Sequence, residues 1–148
     1  MIVRLVLDTN IVIAALLWKG APHQPVSLIT EGRASCFSSA ALLGELTRSL
    51  QYPKFAQRIS ERRLTPQVLI ERYALLAKLV IPADINPAVA GDPDDDHVLA
   101  TALAARADLI VSGDAHLLNL KGYQGIPVVT AAEALNQISG DKGDATLL

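Results

Sequence analysis

The chain has 148 residues, of which 51% are hydrophobic and 19% charged. That length supports one domain with a substantial core, and the composition excludes a disordered chain. A net charge of −2 and a pI near 5.9 argue against a strongly basic nucleic-acid binder, although a divalent ion could neutralise phosphate locally. The one cysteine, Cys36, rules out an intramolecular disulfide and a cysteine-rich zinc site. Apolar runs are broken before membrane-spanning length, and MIVRLVLDTN lacks the flanks of a signal peptide. The expectation is a cytoplasmic protein with no membrane contact.

IVRLVLD, residues 2–8, reads as a buried strand in which Arg4 marks a solvated face near the start. NIVIAALLW continues as a helix, GAPH breaks it, and PVSLITEG gives a second short helix ending at Gly32. ASCFSS, residues 34–39, is a second strand with Cys36 as a buried small residue. Ser38 or Ser39 caps the helix AALLGELTRSL, where Leu42, Leu43, Leu46 and Leu50 have helical spacing. Tyr52-Pro53 stops it. The segment 54–64 reads as a basic helix with Lys54, Arg58, Arg62 and Arg63. Its ordinary role is a solvated face, and its sharper one a rim that contacts phosphates.

Thr65-Pro66 opens a long helix, PQVLIERYALLAKL. LVIPA is a third strand and DINPAVAG a loop. DPDDDHVLATALAARA is the next helix, and ADLIVSGD, residues 107–114, a fourth strand. HLLNLKGYQG gives a short helix and a turn, IPVVT at 126–130 a fifth strand, and AAEALNQI a closing helix. GDKGDATLL reads as a flexible tail, so the domain is expected over residues 1–139 with a tail at 140–148. The alternation predicts an α/β domain with a mainly parallel sheet of about five strands flanked by helices. Ligands in such folds bind outside the carboxyl ends of the strands.

The densest chemistry is DPDDDHVLATAL, where Asp92, Asp94, Asp95 and Asp96 run into Val98, Leu99, Ala102 and Leu103. Helix capping accounts for one or two of these acids, at about 0.3–1 kcal/mol each. Further ones repel the first two. A metal site is the alternative. Asp8 and Asp114 end the first and fourth strands, Asp96 opens the helix after the third, and Glu45 borders the stripe of Leu42 and Leu46. A long helical side chain leans back toward the amino end, which brings Glu45 toward the same edge. Two like charges about 5 Å apart repel by roughly 3 kcal/mol at an effective dielectric of about 20. Four together bind either protons or a cation. An all-oxygen set suits Mg²⁺ or Mn²⁺, and such an ion can polarise a phosphoryl oxygen and activate a water for in-line attack.

VLDTN, SSAALLGEL, DPDDDHVLATALAARADLIVSGD and IPVVTAAE, in that order, resemble the PIN-domain family, and among its members bacterial VapC-like toxins of type II toxin–antitoxin systems. The resemblance spans residues 1–137. It implies a single PIN-like domain that hydrolyses RNA phosphodiester bonds as a Mg²⁺- or Mn²⁺-dependent endoribonuclease. It also implies a cognate antitoxin partner and a homodimer. Asp8 matches the family's first acid, in D-T/S-N, and Glu45 its helical second. Asp96 matches the third, because HVLATAL aligns with the apolar helix. Asp114 matches the fourth, in T/S-G-D, with Ser112 placed to orient that carboxylate or a water. Asn10 either contacts the site or caps the first helix.

Successive helical residues point about 100° apart, so Asp94, Asp95 and Asp96 cannot all face one ion. Asp96 is the expected ligand, Asp94 or Asp92 an outer or second-ion group, and Asp95 a solvated residue. His97 and His116 read as surface histidines, and Trp18 as a helix-face anchor. Two rivals remain. A haloacid dehalogenase-like phosphatase would need a second Asp two residues after Asp8, where Asn10 stands. A catalytically silent PIN-fold binding module is opposed by the four acids. A structure-specific DNA nuclease would need helical arches for which the chain has no room.

Overall fold

The computed structural model describes residues 2–88 and 93–147, with side chains described as far as Ser139. Asp92 and the end of the loop before it lie outside the described residues. The chain begins with β1 (Val3–Leu7), α1 (Thr9–Leu17) and a 3₁₀ turn (Ala21–His23) leading into α2 (Gln24–Thr30). Then come β2 (Ala34–Ser38), α3 (Ala40–Ser49), α4 (Pro53–Glu61), α5 (Pro66–Leu76) and β3 (Ala77–Leu79). The second half holds α6 (Pro93–Ala105), β4 (Leu109–Val111), α7 (Ala115–Asn119), β5 (Gly122–Tyr123), β6 (Ile126–Val129) and α8 (Ala131–Leu147).

The strands form one sheet in the order β3-β2-β1-β4-β6-β5. All neighbours are parallel except the antiparallel pair of β5 with β6. This is the expected α/β architecture. Alternation along β1 divides the core in two. Leu5 and Leu7 pack with Ile13, Leu17, Leu46 and Leu69, while Val6 packs with Phe37, Val98, Leu99 and Ile110. β1 and β4 are neighbours, pairing Leu5 with Leu109 and Leu7 with Val111. Their carboxyl ends are therefore side by side, and the Asp8 N–H donates to the Val111 carbonyl at 2.9 Å.

Three elements differ from the sequence reading. The third strand starts at Ala77 instead of Leu79, because β2 pairs Cys36, Phe37 and Ser38 with Ala77, Lys78 and Leu79. It is an edge strand, so its apolar residues need not mark burial, and Ile81 beyond it is 90% exposed. The sixth strand, β5, was not foreseen. A two-residue turn joins it to β6, with positive φ at Gln124 (46°) and Gly125 (84°), as a type I′ hairpin requires. A Cβ on Gly122 would lie 3.3 Å from the Ile126 carbonyl oxygen, so the close pairing there uses glycine. α8 is continuous to Leu147 and takes in most of the segment read as a tail.

Charges that look misplaced in the sequence close helix ends. The Arg4 guanidinium donates to the Ala105 carbonyl at 3.0 and 2.6 Å and lies 4.4 Å from the Phe37 ring centre. It thereby satisfies a carbonyl at the end of α6. Arg58 and Arg62 both donate to the Leu17 carbonyl, at 2.8 and 3.0 Å, at the carboxyl end of α1. Arg58 also lies over Trp18, which it helps to anchor. Two of the four basic residues in this region are thus engaged in structure. Among the described residues no helix is long and apolar enough to cross a membrane.

Cys36 is buried on β2, 3.1 Å from the Tyr73 hydroxyl. Burial pushes its thiol up from 9.0 to about 11, with hydrogen bonds at Tyr73 and the Leu7 backbone only partly opposing it. Between those two values the unfolded thiol binds fewer protons than the folded one. The contribution of Cys36 to stability therefore falls as pH rises from 9.0 to about 11. At pH 8 the native thiolate is depleted by about 100-fold relative to the unfolded chain. Thiol-reagent kinetics at that pH should show labelling at least about 100-fold slower in buffer than in denaturant. Equal rates would mean an open β2 and Tyr73 contact.

Candidate metal centre

Asp8 follows the last residue of β1 and caps α1 in an extended conformation (φ −65°, ψ 154°). Its Oδ1 accepts the Thr9 N–H at 2.8 Å and its Oδ2 accepts the Ser112 hydroxyl at 2.7 Å. Ser112 is fully buried beyond β4, and its Oγ in turn accepts the Asp114 N–H at 3.0 Å. One hydroxyl thus joins the first acid to the loop that carries the fourth. Asp114 caps α7, with Oδ1 accepting the His116 N–H at 2.7 Å. Since Asp8 supplies the cap of α1, Asn10 lies exposed in the first turn of that helix.

The acid-rich start of α6 is oriented differently from the sequence reading. Asp95 is 5% exposed, on the stripe that continues through Val98, Leu99, Ala102 and Ala105. Its expected solvation does not hold, because a residue three and four positions before Val98 and Leu99 shares their face. Asp96 is half-buried, and its Oδ1 accepts the Ala88 N–H at 2.9 Å, tying α6 to the loop before it. Asp94 is exposed, with Oδ1 3.8 Å from His97 Nδ1.

Among the described residues, Asp95, Asp114 and His116 each offer a ligand atom within 4.8 Å of the others. Asp114 is the predicted residue in this group. Asp8 is linked to it through Ser112. Neither Glu45 nor Asp96 is part of the compact group. Glu45 is half-buried on α3, with its Oε2 shielded from solvent. α3 is fixed against α6 by the buried Ser39–Thr101 hydroxyl contact at 2.9 Å and by Leu42 packing with Val98 and Leu99. Ser39 also caps α3, accepting the Leu42 N–H at 3.4 Å.

His116 is the residue that sequence reasoning set aside. Its Nδ1 is 3.5 Å from Asp114 Oδ1. The available signal was its place two residues after Asp114, in the first turn of the following helix. Carboxylates from two elements converging with an imidazole form a donor set that fits a divalent ion. Asp8 and Asp95 are buried acids, so a cation beside them would offset the cost of keeping both ionised.

A family model described as the PIN domain matches residues 4–116. No curated protein matches the chain. Among solved structures, the chain is similar to one from the crystal structure of VapBC2 from Rickettsia felis bound to a DNA fragment from their promoter. The TM-score is 0.56 at 14% identity, covering 84% of this chain and 96% of that one. At that identity the likeness is one of fold. The family match extends from β1 through β4 to His116, and so takes in every acid of the centre. PIN domains are generally nucleases, and the chain belongs to the PIN domain family.

Proposed function

We propose that the chain is a Mg²⁺- or Mn²⁺-dependent endoribonuclease and the toxin of a type II toxin–antitoxin pair. The observation that carries the reading is the convergence of Asp95 and Asp114 at the sheet edge, with Asp8 fastened to Asp114 through Ser112. Asp8, Glu45, Asp95 and Asp114 are the acids assigned to the ion. Asp95 replaces Asp96 in this set because it is buried with the group, whereas Asp96 accepts from the Ala88 backbone. The VapBC2 neighbour supports an antitoxin partner at the level of fold. RNA as substrate, the homodimer and a cytoplasmic location belong to the same proposal.

An ion held there would supply Lewis-acid polarisation of a phosphoryl oxygen and a more acidic water. The chain's own residues set the geometry. Ser112 directs Asp8 Oδ2, and the Thr9 N–H fixes Oδ1, so the carboxylate has one orientation. The Asp114 carboxylate is aimed by the His116 N–H in the same manner. Asp94, exposed at the amino end of α6, adds negative potential at the rim.

Labelled single-stranded and structured RNA, incubated with tag-free protein and Mg²⁺, Mn²⁺ or EDTA, tests the proposal. Cleavage is expected with metal, none with EDTA, and none from Asp8→Asn purified in parallel. Equal cleavage by Asp8→Asn would remove this residue from the centre. Inert wild type that still binds Mn²⁺ would point to a catalytically silent module.

A further inference from the structure

We propose that His116 is a direct ligand of the ion and biases the centre toward Mn²⁺ over Mg²⁺. The inference rests on the reading of this site as a metal centre and goes beyond its set of acids. His116 contributes a ring nitrogen to the group in which all three ligand atoms lie within 4.8 Å of one another. Ligands about 2.0–2.2 Å from a shared ion stand at most about 4.4 Å apart, so the three atoms lie near the span of one coordination sphere and side-chain movement would close them onto it. The ring has room to make that movement, since its side chain is 69% exposed. Its backbone does not move with it, because the N–H is bound to Asp114 Oδ1 at 2.7 Å. The imidazole is therefore tethered beside the carboxylate it would share an ion with.

The consequence is one of ion choice. Mg²⁺ takes oxygen ligands in near-ideal octahedral geometry and dehydrates reluctantly. First-row transition ions accept imidazole nitrogen alongside carboxylate. Adding a nitrogen to the acid cluster therefore strengthens binding of Mn²⁺ while doing little for Mg²⁺. A surface ion pair of His116 with Asp114 would leave both ions equally served.

Pulsed EPR of Mn²⁺-loaded, tag-free protein, combined with calorimetric titration of Mn²⁺ and Mg²⁺, separates these outcomes. Wild type is expected to show ¹⁴N coupling to bound Mn²⁺, and both His116→Ala and His116→Gln to lose it. Mn²⁺ affinity should fall by about tenfold or more in both variants, and Mg²⁺ affinity by less than about threefold. Circular dichroism of these exposed-site variants should overlay on wild type. Absence of ¹⁴N coupling in Mn²⁺-loaded wild type would overturn the proposal, as would equal weakening toward both ions. Asp114→Asn keeps the two levels of inference apart. If wild type binds Mn²⁺ and Asp114→Asn does not, the centre stands whatever His116 does. If wild type binds neither ion, the metal centre falls and His116 with it.

Discussion

On the proposed assignment, Asp95→Asn is expected to lower the rate of RNA cleavage by about a thousandfold, whereas Asp96→Asn keeps it within about threefold. The two residues are adjacent and chemically identical, so the contrast isolates geometry. Asp95 lies on the buried stripe of α6, with a ligand atom among those of Asp114 and His116. Removing its charge would remove part of the attraction for the proposed ion, on which several kcal/mol of transition-state stabilisation would depend, hence the size of the loss. The Asp96 oxygen accepts the Ala88 N–H, and an Asn side-chain oxygen can accept the same bond. Single-turnover kinetics at saturating enzyme read the chemical step directly. A loss of equal size in Asp96→Asn would return that residue to the proposed ligand set, and an unchanged rate in Asp95→Asn would displace Asp95.

The largest expected effect on stability comes from Leu99→Ala. Leu99 is fully buried between α6 and the sheet, in the cluster of Val6, Phe37, Val98 and Ile110. Deleting a buried leucine side chain loses its transfer free energy and leaves a cavity, for about 3 kcal/mol. That is a large part of the roughly 5–15 kcal/mol by which a domain is stable. For a chain of this length the melting temperature should drop by about 6–12 °C. Leu75→Ala is the control, because Leu75 is 87% exposed and its loss should change stability by no more than about 0.5 kcal/mol. Differential scanning calorimetry of the pair decides the matter. Similar melting temperatures for both would mean that the core behind Asp95 collapses around the lost side chain.

The parallel sheet was legible in the chain because its inner strands are short, mostly apolar runs that end in polar turns, such as VRLVL before Asp8 and LIV before Ser-Gly-Asp. Strand ends also pointed to Asp8 and Asp114 as candidates, since ligands in such folds bind outside the carboxyl ends of the strands. The choice among the three consecutive acids of α6 was harder to make. Asp96 was read from the alignment of HVLATAL with the family's apolar helix. In the structure Leu103 is only half-buried, and the stripe centres on Asp95, Val98, Leu99 and Ala102. A rotation of one residue is below what four apolar positions can define. β3 and β5 were misplaced or missed for a related reason. Edge strands of three and two residues are determined by their partners and by turn geometry, which leave little periodicity to read. Arg4, Arg58 and Arg62 act on carbonyls far away in sequence, and His116 gains meaning only once α6 and α7 are brought together.

The seating of Asp8 has a consequence for how an ion would exchange at the proposed centre. The carboxylate is held at both oxygens by groups of the chain itself, the Thr9 N–H and the Ser112 hydroxyl. The helix it caps is secured at the opposite end by Arg58 and Arg62 on the Leu17 carbonyl. Asp8 is thus preorganised by the fold, and an arriving ion need not order it. Loading and unloading then become reversible events on a folded scaffold, unlike those of small domains that fold only around their metal. A chelator should therefore strip such a protein without denaturing it, and the same molecules should accept metal again.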